Sequence, residues 1–413
     1  MRILLVVPIP PAEDGGGAIP KLLAAQLAGL GERHDVTLVT SVGDESGEAK
    51  AARQLLAAGL DVHIADRRVP ASLAPRWRRR ARLAGGWVRG NQPWRVLWYA
   101  EPKIQAELDR LAARRDFDIV AIEDSPMSGF RYPRGVPTVY TEHEALRAPE
   151  DSWRPQRLRE RPVGVLRVRD WRRWPAFQRS IWEKFDLIQT YGRGDAEAIG
   201  ALAPELADRV RVNPFGTILP AALDPGLQKP GTVLFVGNFS HPPNRDAALW
   251  LGEEIMPLVW ARAPEARLEL VGTAAPAEVL GLAGPRIEVC ADVPSVRPHL
   301  EAAAVVAAPV RSGGGMRMKV LEALASAKAV VTTPLGADGY TEFDEPPPLA
   351  MAETAAGLAE AISALLLDDG GRRQIGQRAR EFAVRHHSPG AWALRLEDVY
   401  EEARRRAGAK SAT

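Results

Sequence analysis

At 413 residues the chain exceeds what one hydrophobic core usually serves, so two domains of roughly 200 residues each are expected. A hydrophobic fraction of 46% with 26% charged residues argues against disorder, and a single cysteine, Cys290, excludes a disulfide-stapled scaffold and points to a reduced, cytoplasmic setting. The net charge of +2 hides two basic stretches: nine arginines and no acid from Arg67 to Trp98, and nine against Glu160 and Asp170 from Trp153 to Trp182, which leaves −14 for the remainder.

The opening apolar run, Ile3 to Ile9, is short, and prolines, Glu13 and Asp14 follow where a signal-peptide cleavage site would lie, so a first strand is expected there, at Arg2 to Pro8. Further strands are expected at 35–41, 60–66, 117–123, 136–141 and 185–190. Leu23, Leu27 and Leu30, like Ile104, Leu108 and Leu111, recur at helical spacing between them. Proline and glycine then accumulate around 214–230, and the alternation restarts with strands at 232–237, 267–272, 287–290, 305–309 and 329–333. One intervening helix carries Leu251, Ile255 and Leu258 on a shared face. Trp392, Leu396, Val399 and Tyr400 mark an amphipathic helix from 391 to about 406. The pattern predicts two doubly wound, Rossmann-like α/β domains, 1–215 and 216–390, with the final helix returning to the first. Ligands bind such sheets at the carboxyl ends of the strands, hence in a cleft between the domains. The longest later apolar run, 302–310, is about half a membrane span.

After the strand ending at Pro309 come Gly313, Gly314 and Gly315 and then a helix beginning near Met316. Three glycines let backbone approach a ligand closely, and a helix start offers unpaired N–H groups with partial positive charge, together a phosphate cradle. Arg317 and Lys319 add cations suited to a diphosphate leaving group, and Glu322, one turn on, is placed to accept hydrogen bonds from ribose hydroxyls.

The run GGGMRMKVLEALASAKAVVTTPLGADG resembles the donor-binding segment of retaining glycosyltransferases of family 4, in a branch with Gly-Gly-Gly-x-Arg-x-Lys before the Leu-Glu-Ala. PPAEDGGG after the first strand, TEHEALR, RVNPFGT and VLFVGNFSHPPNRDAALW agree with that family in order. The resemblance implies the GT-B fold and a nucleotide-sugar donor held by the second domain. Glu322 would then bind ribose, Arg317 and Lys319 the diphosphate, and Gly237 and Asn238 would border the donor. Two departures stand out: Gly314 occupies the position of the family's first paired glutamate, and Asn238 stands where an arginine is usual. The cations of the helix would replace the missing charge.

In the first domain, Gly15, Gly16 and Gly17 follow the first strand and are placed to approach donor phosphate or acceptor sugar. His143, just past a strand and flanked by Glu142 and Glu144, is positioned to hydrogen-bond a sugar hydroxyl, with Glu123 and Asp124 as further acceptor-side candidates. The resemblance implies retaining transfer to a glycan or lipid-linked acceptor, in which the protein supplies positioning and charge and needs neither metal nor other cofactor. Asp116 and Asp118 precede their strand rather than end it and read as a strand entrance, not a metal motif. Eight of the eleven tryptophans fall in the two arginine-rich stretches, an arrangement suited to peripheral contact with an anionic inner leaflet, while no nucleic-acid motif accompanies them. Two other readings stay open: a nucleotide-sugar epimerase of the same fold, and a sugar-binding relative that has lost catalysis.

Overall fold

The computed structural model describes residues 1–13, 17–45, 47–69, 71–145, 162–220, 225–315 and 317–411. The chain forms two compact units, one of Met1–Glu150, Arg154–Ile218 and Pro389–Thr413, the other of Leu219–Ser388. Each is built on a parallel sheet. The first has β1 (Arg2–Val6), β2 (Asp35–Val42), β3 (Val62–Asp66), β4 (Ile119–Glu123), β5 (Thr138–Glu142), β6 (Leu187–Thr190) and β7 (Val210–Val212), in the order β3-β2-β1-β4-β5-β6-β7. The second has β8 (Thr232–Asn238), β9 (Arg267–Thr273), β10 (Ile287–Ala291), β11 (Val305–Ala308), β12 (Ala329–Thr332) and β13 (Ala350–Met351), in the order β10-β9-β8-β11-β12-β13. Strand order therefore reverses beside β1 in one sheet and beside β8 in the other, the switch points at which doubly wound sheets open a crevice.

Parallel strands covered on both faces are expected to be continuously apolar, and Ile3, Leu4, Leu5 and Val6 of β1 are all fully buried. The eleven strands expected from sequence are present with ends shifted by at most two residues; β7 and β13 are additional, three and two residues long. Leu23, Leu27 and Leu30 face the core from the helix Ala18–Gly31, as Ile104, Leu108 and Leu111 do from Pro102–Ala112. Leu258 departs from its expected face. Leu251 and Ile255 are buried, but residues Leu251–Ile255 form a π turn, whose wider winding rotates the next helical turn, so that Met256 and Val259 face inward and Leu258 is 43% exposed.

The final helix runs over Pro389–Ser411 and buries Trp392, Leu396 and Tyr400 against the first unit. It crosses Ala18–Gly31 at Gly29, where a Cβ would lie 2.2 Å from the Pro389 carbonyl oxygen. Arg395 donates to Asn213 Oδ1 (3.0 Å) and to the Pro214 carbonyl (2.7 Å), which ties the helix to the end of β7.

The basic stretches are divided between structural and exposed roles. Arg67 is buried against Glu48 (3.1 Å) and stacks on Tyr99, Arg95 pairs with the buried Asp124, and Arg173 lies 4.4 Å over Trp87. Trp174 and Trp182 are core residues, whereas Leu73, Trp77 and Val88 of the helix Leu73–Arg89 are 62–72% exposed; Trp153 lies outside the described residues. Among the described residues no helix is long and apolar enough to cross a membrane.

Candidate functional site

The glycine triplet leaves β11 at the switch point of the second sheet, beside the carboxyl end of β8. Within it the left-handed conformation is confined to Gly313 (φ +97°) and Gly315 (φ +72°), where an L side chain is strained. Gly314, at the position of the family's first glutamate, carries no such backbone requirement. The following helix is Met318–Ala325, with Arg317 as its N-cap; Met316 lies outside the described residues. Arg317 turns its guanidinium back onto the loop, donating to the carbonyls of Gly313 (2.9 Å), Gly314 and Ser312, and its own carbonyl accepts from the Tyr340 hydroxyl (2.7 Å). Arg317 thus braces the cradle, where the sequence suggested only a direct phosphate ligand.

Lys319 brings β8 into the same cluster. Its ammonium donates to Asn244 Oδ1 (2.6 Å) and sits 4.2 Å above the Phe235 ring, and Asn244 in turn donates to the Asn238 carbonyl (2.8 Å). Gly237 makes room for this approach, since a Cβ there would stand 3.2 Å from Lys319 Nζ. Asn238 bends its side chain onto Ser240, accepting from its N–H (3.0 Å) and hydroxyl (2.7 Å). Burial, reinforced by the Arg317 charge and only partly opposed by Glu322, pulls the Lys319 ammonium down to about 7. An anion beside this ammonium, which is held between one amide oxygen and an aromatic face, would restore its charge. Glu322 stands one turn further along the same helix, half-buried.

In the first unit the residues singled out from sequence form a different network at the ends of β4 and β5. Glu123 is fully buried and accepts from Gln26 Nε2 (2.7 Å), Thr141 Oγ1 (3.0 Å) and the Tyr191 hydroxyl (3.2 Å) while pairing with His143 Nε2 at 2.9 Å. Glu123 therefore positions His143 rather than offering itself to an acceptor. Burial alone would depress the imidazole, but the bond to Glu123 and the charges of Asp124, Glu123 and Glu142 outweigh it, and the net shift is upward. With Nε2 turned to Glu123, Nδ1 is the nitrogen left for a ligand. Asp124 is likewise withdrawn, held by Arg95 (2.5 Å) and by the Ser125 amide (2.7 Å). Glu142 is buried beneath Trp182 Nε1 (2.9 Å) and the Tyr140 hydroxyl (3.1 Å), and burial raises its carboxyl to about 7. Glu144 is half-buried, and its carbonyl accepts from Gln178 (3.1 Å). Gly17 caps the helix Ala18–Gly31; Gly15 and Gly16 lie outside the described residues.

Asn244, Phe235 and Tyr340 escaped the sequence reading. A signal existed only for Asn244, which the Pro242-Pro243 helix start sets in a first turn facing back toward β8. Among the described residues no group of three His, Cys, Asp or Glu is arranged to hold a metal.

Residues 230–368 match the family model described as Glycosyl transferases group 1. The matched segment contains the glycine loop, Lys319 and Asn244, all at the switch point of the second sheet. Solved structures share the fold of the whole chain, the two Rossmann-like domains of GT-B glycosyltransferases. Sucrose-phosphate synthase from Thermosynechococcus elongatus is 17% identical, with 97% of this chain and 99% of that one covered and a TM-score of 0.62. Anabaena Alr3699/HepE, solved in complex with UDP, is 14% identical over 97% and 100%, with a TM-score of 0.58. TarM is 9% identical over 97% and 99%, with a TM-score of 0.65. No protein of curated function matches the sequence.

Proposed function

We propose that the chain transfers a sugar from a nucleotide-diphosphate sugar to a glycan or lipid-linked acceptor, with retention of anomeric configuration and without a metal ion, as a member of the family 4 branch its glycine loop resembles. The observation that carries the reading is Lys319, a half-buried ammonium with a lowered pKa at the switch point of a group 1 glycosyltransferase domain. The Anabaena relative is described bound to UDP and to UDP-glucose, which supports a donor of this class.

In this reading the diphosphate rests against the loop Gly313–Gly315, whose shape Arg317 maintains. Lys319 neutralises charge as the glycosidic bond breaks, the role a divalent cation plays in metal-dependent transferases. Glu322 accepts from the ribose hydroxyls. His143, held by Glu123, hydrogen-bonds a sugar hydroxyl through Nδ1. The exposed apolar and arginine stripe of the helix Leu73–Arg89 suits contact with an anionic leaflet on the cytoplasmic side.

The test is incubation with UDP-, GDP- and ADP-sugars and candidate acceptors in the presence of EDTA, with the product's anomeric configuration read by NMR. Transfer with retention in EDTA is expected. Inversion, or activity that needs added metal, overturns the corresponding part of the reading, and isomerised donor without transfer replaces it with an epimerase. Flotation with anionic vesicles tests the leaflet contact; a Trp77→Ser protein that floats like the parent removes that surface from it.

A further inference from the structure

A second cluster of cations stands apart from the glycine loop, in the first unit. A cavity of about 710 Å³ opens where β2 and β3 end, between Asp44 on the loop after β2, Asp66 at the end of β3 and the helices Leu73–Arg89 and Pro102–Ala112. It is lined by Arg68, Arg78, Arg79, Arg82 and Lys103.

Its three carboxylates are already engaged. Asp66 holds Arg68 in a two-pronged pair (2.9 and 2.8 Å), Glu101 accepts from Arg82 (3.4 Å), and Asp44 accepts from the Val69 amide (3.0 Å). Arg78 and Lys103 are exposed. Arg79 is the anomaly. Its Nε and both Nη atoms are buried and make no hydrogen bond, and its guanidinium lies 4.5 Å over the Trp98 ring. An aromatic face compensates a desolvated guanidinium only in part, and its five buried N–H donors are left without acceptors, which disfavours the folded state. The fold has therefore retained a positive charge in the wall of a cavity with nothing in the protein to satisfy it. An anion in the cavity would lie beside this charge and two exposed cations, and a small movement of the guanidinium off Trp98 would turn toward it a fork that matches phosphate oxygens.

We propose that this cavity binds a phosphate group through Arg79, with Arg78 and Lys103 completing its charge, and that the phosphate belongs to the acceptor. The first half stands on the cavity alone; the second rests on the glycosyl-transfer reading above. Two sources supply the same chemistry, a soluble sugar phosphate and the headgroup of a phosphorylated lipid. The carboxyl ends of the strands face this cavity as they face His143, so an acceptor docked by its phosphate would lie along that edge of the sheet.

The test uses the full chain and calorimetry with inorganic pyrophosphate, glucose 6-phosphate, and phosphatidylcholine vesicles with and without phosphatidic acid. Because pyrophosphate also suits the glycine loop, each titration is repeated on Lys319→Met, which reports the cavity alone. Arg79→Gln should weaken binding there roughly tenfold or more and Lys103→Gln, an exposed change that spares the fold, roughly three- to fivefold. Both should leave the melting-temperature shift produced by a nucleotide sugar unchanged. Phosphate binding that survives Lys319→Met while the parent protein binds no nucleotide sugar would preserve the cavity and overturn the donor reading. Tighter binding of glucose 6-phosphate than of vesicles assigns a soluble acceptor, and the reverse order, abolished by Arg79→Gln, assigns a lipid. Binding of every probe that is indifferent to both Arg79→Gln and Lys103→Gln, or no binding in Lys319→Met, overturns the proposal.

Discussion

The lowered pKa of Lys319 ties donor binding to pH in a way that can be measured. In the free protein the ammonium loses its proton as pH rises through about 7, against an ordinary value of 10.5. A diphosphate beside it favours the charged form, so the complex retains the proton to higher pH. The sign comes from linkage: below pH 6 both states are protonated and affinity is flat, whereas above pH 7 binding draws a proton from solution and weakens as pH rises. If the ligand restores roughly two units, affinity falls about 100-fold between pH 6 and pH 10, and uptake is about 0.8 proton at pH 8 and near zero at pH 5. The assay is calorimetry at pH 8 in two buffers of different ionisation enthalpy, with whichever of UDP-, GDP- and ADP-glucose shifts the melting temperature most, since their phosphates do not titrate in this range. The apparent enthalpies should differ by that uptake times the difference in buffer enthalpy. Lys319→Met should bind the nucleotide sugar too weakly for heat to be detected in either buffer. Equal enthalpies in the two buffers for the parent protein, or the same uptake after the substitution, would refute the reasoning.

Four further outcomes are expected. Gly313→Ala and Gly315→Ala should each weaken nucleotide-sugar binding by about 1–2 kcal/mol, because both need the left-handed region, whereas Gly314→Glu should leave the folded loop intact by melting temperature and circular dichroism. Glu142 binds its proton more tightly folded than unfolded, so it contributes stability at pH 4 that is lost as pH rises from about 4.5 to 7; Glu142→Gln should raise the melting temperature at pH 8 and change it little at pH 4. The His143 imidazole should titrate above 6.5 by NMR in the parent and lower in Glu123→Gln, since the bond to Glu123 is the largest of the effects that raise it. Gly29→Val should destabilise the protein by about 2–3 kcal/mol in urea titration, because its Cβ would overlap the Pro389 carbonyl.

Most of the scaffold was legible because buried parallel strands are apolar end to end, as in Ile3–Val6 and Val305–Ala308, and such runs stand out between helical repeats. The two strands that were not legible, Val210–Val212 and Ala350–Met351, are too short for any periodicity. Leu258 shows the other failure: a π turn shifts the phase of a helix by hydrogen bonding alone and leaves the residue pattern unchanged. At the glycine loop the sequence singled out Arg317 and Lys319 but gave no sign of their different contacts. Arg317 is spent on carbonyls three to five residues before it, a contact that depends on the two positive-φ glycines folding the loop over its own N-cap. The partner of Lys319 is Asn244, 75 residues away on another strand–helix unit, and only the tertiary fold brings them together. Glu123 was read as a candidate ligand because it ends a strand, but its fate was settled by Gln26, Thr141 and Tyr191 from three other segments.

The return of Pro389–Ser411 to the first unit makes the second, among the described residues, a single stretch of chain, Leu219–Ser388, inserted within the first. During synthesis the inserted unit leaves the ribosome whole while the earlier one still lacks Trp392, Leu396 and Tyr400 from its core. Order of emergence and order of completion are thus reversed, and the half that is translated first must wait, with apolar surface uncovered, for a helix made after its neighbour. A fragment cut at Ser388 would trap that waiting state, and the excised middle is the piece suited to independent expression.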